Sequence, residues 1–376
     1  MFQRVFSGLG SISKLNKLLE KNNSRSILLV SGKRSFSLSG AEKAIQPIIN
    51  KYNVVNFQDF SVNPKFEDAL KGTLIARENK IDTVISIGGG SVIDMAKLVL
   101  AFYAPNQNYN AILNGKDKPI DPKILHFSIP TTAGTGSEST HFAVVYLKKN
   151  KYSVAASFLL PDLTILDGEL VISNSSFQRA NNGLDALAQA IESHWAIGST
   201  EESKSYSRKA IPILFKNLPK IVNGKAKKCD FQDFIFASNL AGKAINISKT
   251  TSPHAFSYAF TSKYGIPHGQ AIWLTLPKIF EIHFNAVKKD NLKVKNYDQF
   301  HYLMNEIIDL LGISKNNLVK NLNKFVLDLG VECSMEKLGA KMQIDRYEIA
   351  KKVNLERLKN NPVSLSKQNI DEIFNL

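Results

Sequence analysis

Asp185, His254 and His268, with Gln189 one helical turn beyond Asp185, have the residue types and spacing to hold a divalent metal ion. The run Asn182 to His194 reads as a helix in which Asp185 and Gln189, four residues apart, share a face. His254 and His268 reach that face from a second helix and the turn after it. One carboxylate and two imidazoles suit Fe²⁺, Zn²⁺, Mn²⁺ or Co²⁺, and a Gln carbonyl oxygen adds a weak, neutral fourth ligand. His194 is outside this set, because nine residues at about 100° each carry it to the opposite face; it reads as a surface or inter-helix histidine. Scattered Asp and His residues alone seldom mean metal, so the elements around them decide the reading.

The β-run Thr83 to Ile87 enters Gly88-Gly89-Gly90 and then a helix opening near Ser91, with Asp94 and Lys97 on it. Glycines at a strand-to-helix turn let backbone approach a pyrophosphate, and the helix start offers free N–H groups and a positive dipole end. This is not the GxGxxG fingerprint, so a plain tight turn with Ser91 as N-cap stands beside the nucleotide reading. A second apolar run, Ile124 to Ile129, leads into Pro130 to Glu138, where Thr131, Thr132, Thr135 and Ser137 supply hydroxyls for a nucleotide lying along backbone. The cofactor candidates are therefore Gly88, Gly89, Gly90, Ser91, Asp94, Thr131, Thr132, Thr135 and Ser137.

With Phe6-Ser7-Gly8-Leu9-Gly10-Ser11, Gly183-Leu184-Asp185-Ala186-Leu187 and Pro267-His268-Gly269 added to these segments, the chain resembles the iron-dependent (group III) alcohol dehydrogenases along nearly its whole length. The resemblance implies an α/β dinucleotide-binding domain with a parallel sheet over residues 1–168. It also implies an all-helical metal- and substrate-binding domain over residues 169–376, in the architecture shared with dehydroquinate synthase, and a homodimer. In that family one Asp and three His hold the metal, which polarises the carbonyl or alkoxide oxygen during hydride transfer at nicotinamide C4. Here Gln189 stands at one His position, and an amide binds transition metals less well than imidazole. Tyr258, four residues after His254, stands where many relatives carry a histidine; it reads either as a proton relay or as a packed aromatic. The metal expected is Fe²⁺ first and Zn²⁺ second.

Ala241 to Pro253 departs from the mostly apolar segment of ordinary relatives through Lys243, Ser248, Lys249, Thr250, Thr251 and Ser252. An ammonium with several hydroxyls suits a phosphate or phosphonate oxyanion, although a solvated, capped helix start has the same composition. Together with Asp185 to Ser193, the segment Ala244 to Thr251 resembles the phosphonoacetaldehyde reductase branch, whose members reduce phosphonoacetaldehyde to 2-hydroxyethylphosphonate. Lys249, Ser248, Thr250 and Thr251 are then the substrate candidates, and the partner is a small anionic aldehyde. Another small aldehyde, such as succinic semialdehyde or lactaldehyde, is the second reading. A dehydroquinate synthase-like, metal-dependent lyase is the third. At the first strand turn, Ser31-Gly32-Lys33-Arg34 lacks the acid that NAD-preferring proteins set on the ribose hydroxyls, where ordinary NAD-linked relatives often carry Asp. NADPH is therefore expected over NADH, with Ser31, Gly32 and Lys33 as contacts, unless both cations are solvated turn residues.

The chain has 376 residues, 44% hydrophobic and 22% charged, which is enough for two domains with cores. Cys229 and Cys333 lie far apart and outside any metal spacing, which fits a reducing, cytoplasmic setting. No apolar run approaches the ~18 to 20 residues of a membrane span. The net charge of +15 raises nucleic-acid binding, but the lysines are dispersed, with short clusters at Lys225 to Lys228 and Lys288-Lys289 and no interleaved aromatics. Neither nucleic acid nor membrane is expected as a partner. β-runs at Ser26 to Val30, Asn53 to Phe57, Thr83 to Ile87 and Ile124 to Ile129 alternate with helical patterns, which predicts a parallel sheet covered on both faces. A strand pair follows near Ala143 to Leu147 and Ser153 to Phe158, and a short run at Thr164 to Leu166; beyond about Gly168 the periodicity is helical.

Overall fold

The structure, a computed structural model, describes residues 3–148, 150–287, 292–294, 296–339, 348–349 and 358–374. The Lys288-Lys289 pair lies outside the described residues. Two compact units emerge: residues 1–174 with 227–239, and residues 175–226 with 240–376.

In the first unit, strands β1 (Arg4–Ser7), β2 (Ser26–Ser31), β3 (Asn53–Phe57), β4 (Thr83–Gly88), β5 (Leu125–Pro130) and β8 (Leu163–Leu166) form one six-stranded sheet. Its order is β1-β8-β5-β4-β2-β3, and every pairing is parallel. β6 (Phe142–Leu147) and β7 (Asn150–Ala155) make a separate antiparallel hairpin. The helices are α1 (Leu15–Lys21), α2 (Ser35–Leu38), α3 (Ala41–Ile49), α4 (Phe66–Glu78), α5 (Gly90–Ala101) and α6 (Tyr109–Leu113). All six residues of β4 are buried, as a central strand covered on both faces requires. The pleat of β2 sorts its side chains alternately: Leu28 and Val30 join Val92, Met95, Val99 and the hairpin's Val145 and Val154, while Ile27 and Leu29 join Ile12, Leu15, Phe36 and Ile45. The parallel sheet and its two covered faces agree with the periodicity; the hairpin forms as expected, but its second strand lies at Asn150–Ala155 rather than Ser153 to Phe158.

The division between units is less simple than a single cut after residue 168. Asp167 accepts the backbone N–H groups of Gly10 and Ile12, and Leu170 packs in the sheet's core, so the chain stays with the sheet through Asn174. The first half of α9 (Lys228–Ser248) also belongs to the sheet unit: Gln232 accepts Gly168 N–H at 2.8 Å and donates to Leu166 O at 3.1 Å. The second unit is helical, with α7 (Ser176–Trp195), α8 (Glu201–Val222), the rest of α9, α10 (Ser252–Tyr264), α11 (His268–Trp273), α12 (Leu276–Phe284), α13 (Tyr297–Leu311), α14 (Leu318–Asp328) and α15 (Lys367–Phe374). Among the described residues no helix is long and apolar enough to cross a membrane.

One buried histidine in each unit links stability to pH. His126, in β5, pairs Nε2 with Ser86 Oγ at 2.8 Å, and His283, in α12, pairs Nε2 with Asn361 Nδ2 at 3.0 Å. Burial pushes both down from 6.5 to about 3. Between those values the unfolded chain binds more protons than the fold, so this stability is fully present above about pH 6.5 and declines as pH falls towards 3. Each ring adds about 1.4 kcal/mol per pH unit to the slope. Denaturant titrations of the His126→Asn variant between pH 6 and 5 should show the slope reduced by about one proton; an unchanged slope would count against a neutral buried ring.

Candidate metal and nucleotide sites

The metal candidates all lie in the second unit. α7 opens with a reciprocal Ser175–Gln178 capping box, which fixes the helix start and with it the phase of its inward face. Asp185, Gln189 and Glu192 follow one another on that face and are buried. α10 begins with Ser252-Pro253, a good first-turn proline, and carries His254 in its first turn. α11 begins at His268 itself, so the ligand comes from a helix start rather than a free turn. Gly269 allows that placement, since a Cβ there would lie 1.9 Å from Asn181 O. Gln270 N–H donates to Asn181 Oδ1 at 3.2 Å and Trp273 Nε1 to Leu184 O at 2.8 Å, which pins α11 onto α7.

The result is one cluster. A ligand atom from each of Asp185, His254 and His268 lies within 4.8 Å of the others, and His254 Nε2 stands 3.3 Å from Asp185 Oδ1. The two imidazoles meet edge to face at 5.4 Å. Burial opposes ionisation of Asp185, but His254, His268 and Gln189 together hold its carboxyl below the usual range. Burial also opposes a charge on His254, yet Glu192 and Asp185 prevail and raise it to about 10. A carboxylate and two imidazoles converging in one cluster, with one imidazole held from behind by a second carboxylate, fit a divalent transition ion.

Gln189 donates Nε2 to Asp185 Oδ1 at 3.1 Å. This sets the expected fourth ligand beside the Asp185 carboxylate. Tyr258 stacks on His268 with centroids 5.7 Å apart and planes 10° from parallel, and Ser257 Oγ lies 3.4 Å from His268 Nδ1. His194 is an inter-helix residue, its Nε2 at 2.7 Å from Glu306 Oε2, which Arg208 also engages.

The residue missed in the sequence is Glu192. It is wholly buried; Oε1 meets His254 Nδ1 at 2.5 Å, while Oε2 accepts Thr251 N–H at 2.7 Å and Thr251 Oγ1 at 2.8 Å. Trp195 Nε1 donates to the same Thr251 hydroxyl at 2.9 Å. The available signal was its place seven residues after Asp185, two turns along the same face.

Thr251 is therefore occupied with Glu192 and Trp195. Ser248 is occupied too, its hydroxyl lying 2.8 Å from Ser193 Oγ, 2.8 Å from Lys249 O and 3.0 Å from Ala244 O. Of the four substrate candidates, these two hydroxyls serve the protein itself. Thr250 is 3% exposed, and its hydroxyl has no hydrogen-bond partner among the described residues; Lys249 is half-buried.

In the first unit the two expected loops form one surface. A Cβ on Gly90 would sit 2.6 Å from Thr135 Oγ1, and one on Gly89 3.2 Å from Thr132 Oγ1, so the glycine turn after β4 rests directly on the threonine loop after β5. Gly89, not Ser91, caps α5; Ser91 Oγ instead accepts Asn63 N–H at 3.3 Å. Thr131 N–H donates to Gly88 O at 3.0 Å. Asp94 and Ser137, expected on the cofactor, engage each other at 2.5 Å, and Asp94 also accepts Val144 N–H. Lys97, wholly buried and lowered to about 8 by that burial, donates to Ser137 O, Ser137 Oγ, Thr140 Oγ1 and Phe142 O. Asp94, Lys97 and Ser137 thus lock the loops together. One strand over, Ser31 Oγ accepts Gln58 Nε2 at 2.7 Å, and beyond Gly32 the exposed Lys33 Nζ lies 3.1 Å from Asp59 Oδ1. All of these sit past the carboxyl ends of parallel strands, where α/β sheets bind dinucleotides.

Residues 3–168 match the family described as iron-containing alcohol dehydrogenase, and residues 179–376 match the Fe-containing alcohol dehydrogenase family, C-terminal. The chain belongs to the iron-containing alcohol dehydrogenase family. It is an oxidoreductase of that type, and the lyase reading is set aside. Long-chain-alcohol dehydrogenase 1 of Geobacillus thermodenitrificans is 29% identical over 340 residues, 88% of this chain and 84% of its own. The NADPH-dependent butanol dehydrogenase of Clostridium saccharobutylicum is 28% identical over 98% of this chain and 95% of its own. Among solved structures, sulfoacetaldehyde reductase from Bifidobacterium kashiwanohense in complex with NAD+ superposes with a TM-score of 0.86 at 25% identity, covering 99% of this chain and 96% of that one. The iron-containing alcohol dehydrogenase of Thermococcus thioreducens gives the same score and identity over 100% and 98%.

Proposed function

We propose that this alcohol dehydrogenase reduces a small anionic aldehyde to its primary alcohol, phosphonoacetaldehyde to 2-hydroxyethylphosphonate first among candidates, with NADPH preferred over NADH. The observation that carries the substrate class is the Lys249-Thr250 pair. It directly precedes Thr251, which is tied to Glu192 and through it to His254. A half-buried ammonium beside a buried hydroxyl with bonding capacity left is suited to an oxyanion, through charge-assisted hydrogen bonds. The structural likeness to a sulfoacetaldehyde reductase supports the same class, since that substrate also carries an anionic group on a two-carbon aldehyde.

Asp185, His254 and His268 would hold a divalent ion, Fe²⁺ first and Zn²⁺ second. That ion, when bound, supplies the Lewis acidity that stabilises charge on an aldehyde oxygen as nicotinamide delivers hydride to the carbon. Glu192 fixes the His254 ring, so that Nε2 is the nitrogen offered. Lys249 and Thr250 bind the anionic tail and use that binding energy to orient the carbonyl. Tyr258, flat against His268, would pass a proton towards solvent. For the cofactor, Gly32 puts no acidic side chain of its own at the first strand turn, and Arg34, with Lys33 paired to Asp59, brings positive charge there. The NADPH dependence named for the butanol dehydrogenase relative is consistent with this.

Lys249→Ala should raise KM for phosphonoacetaldehyde by roughly 10- to 100-fold, the worth of one charge-assisted contact. KM for an uncharged aldehyde of the same length should change by less than about threefold. The readout is nicotinamide absorbance, and equal effects on both aldehydes would defeat the oxyanion assignment. Another small aldehyde is the second reading; the butanol dehydrogenase relative favours an uncharged one, and that same outcome would support it.

A further inference from the structure

α9 ends at Ser248, and Lys249 follows in the left-handed region at φ 63°, its N–H closing the last turn on Ile245 O at 2.9 Å. That position after a helix is ordinarily glycine's, because a Cβ is disfavoured there. A lysine in it needs the surroundings to hold it. Asn360 does this from outside the turn, its Nδ2 donating to Ser248 O at 2.8 Å and to Thr250 O at 3.0 Å, the carbonyls on either side of Lys249, while Ser248 Oγ lies 2.8 Å from Lys249 O within the turn. Asn360 is fixed in turn. Its Oδ1 accepts Gly198 N–H at 2.9 Å, and its own carbonyl accepts Ile197 N–H at 3.1 Å. Gly198 is fitted to this arrangement, since a Cβ there would lie 2.9 Å from Ser248 O and 3.2 Å from Asn360 Oδ1. The next residue extends the hold, Asn361 Oδ1 accepting Ser252 Oγ at 2.7 Å.

We propose that Asn360 is a positioning residue for anion recognition: by clamping the carbonyls before and after Lys249, it fixes the left-handed turn from which the ammonium is presented. This rests on the reading of Lys249 as the contact to the substrate's anionic group. Asn360 need touch neither substrate nor metal to set the enzyme's preference for charged aldehydes. Its carboxamide nitrogen carries two diverging N–H donors, one for each carbonyl, which an aspartate in its place would lack.

The test is a double-mutant cycle on the metal-loaded enzyme with phosphonoacetaldehyde and an uncharged aldehyde of equal length. Asn360→Ala should raise KM for the anionic aldehyde about five- to tenfold, with kcat and the uncharged KM within about twofold. Lys249→Ala combined with Asn360→Ala should be no worse than Lys249→Ala alone. Equal losses on both aldehydes, or losses that add in the double variant, would overturn the inference. A Lys249→Ala variant with no selectivity overturns the anion reading and this inference with it, whereas a selective Lys249→Ala beside an unselective Asn360→Ala overturns the inference alone. Should Asn360→Ala fold poorly, thermal denaturation of Lys249→Gly gives a second reading. Glycine relieves the turn, so the loss of melting temperature caused by Asn360→Ala should shrink in that background; an undiminished loss would show that Asn360 does not act on the turn.

Discussion

His268→Ala is expected to lower kcat/KM for aldehyde reduction by at least about 10³, the rate equivalent of several kcal/mol of lost charge stabilisation, and to leave the purified protein without its divalent ion. The cluster offers three converging ligand side chains, and removing one leaves a carboxylate and one imidazole, too few to hold a transition ion against water and buffer. The fold should survive, because α11 is pinned to α7 by Gln270 and Trp273 rather than by His268. Nicotinamide binding should survive as well, since the glycine and threonine loops belong to the other unit. Elemental analysis, nicotinamide fluorescence and steady-state rates separate these outcomes. A variant that kept both its metal and its turnover would remove His268 from the site.

What was legible in the sequence was what local chemistry determines. Gly88-Gly89-Gly90 after a β-run and the threonines after Pro130 announce a loop pair because their backbone and hydroxyl chemistry is carried within a few residues. Asp185 and Gln189 share a helix face by period alone. Less legible was what a polar side chain does once distant segments meet. Asp94 and Ser137 are legible as loop residues, but not their bonds to each other, to the buried Lys97 and to the Val144 N–H, which bracket the loops together. Ser248 and Thr251 look like anion donors, but one closes its own helix turn and the other serves Glu192. α8 runs through Pro212 and Pro219, two residues that locally disfavour a helix interior, with Ile211, Leu214, Leu218 and Ile221 buried along it. The first half of α9 gives no hint of belonging to the sheet, because Gln232 and Asn239 find partners some 60 to 100 residues back along the chain.

Glu192→Gln should weaken metal binding by roughly 10- to 100-fold, with kcat at saturating metal falling by far less. The carboxylate receives three donors, His254 Nδ1–H, Thr251 N–H and the Thr251 hydroxyl, in a place with no water to substitute. A carboxamide has one acceptor oxygen. Turned towards Thr251, it faces an N–H against the His254 N–H; turned towards His254, it faces the Thr251 N–H instead. In the first orientation His254 loses the partner that fixes its tautomer and orients Nε2; in the second the segment leading from Lys249 into α10 is loosened. Each buried donor left unsatisfied costs about 1–3 kcal/mol. The melting temperature should therefore drop by about 2–12 °C in a unit of this size. Competition with a chelator measures the affinity, and calorimetry the stability. An unchanged metal affinity together with the lowered melting temperature would make Glu192 a structural acid only. Unchanged values of both would mean that the short Glu192–His254 contact does not govern the imidazole at all.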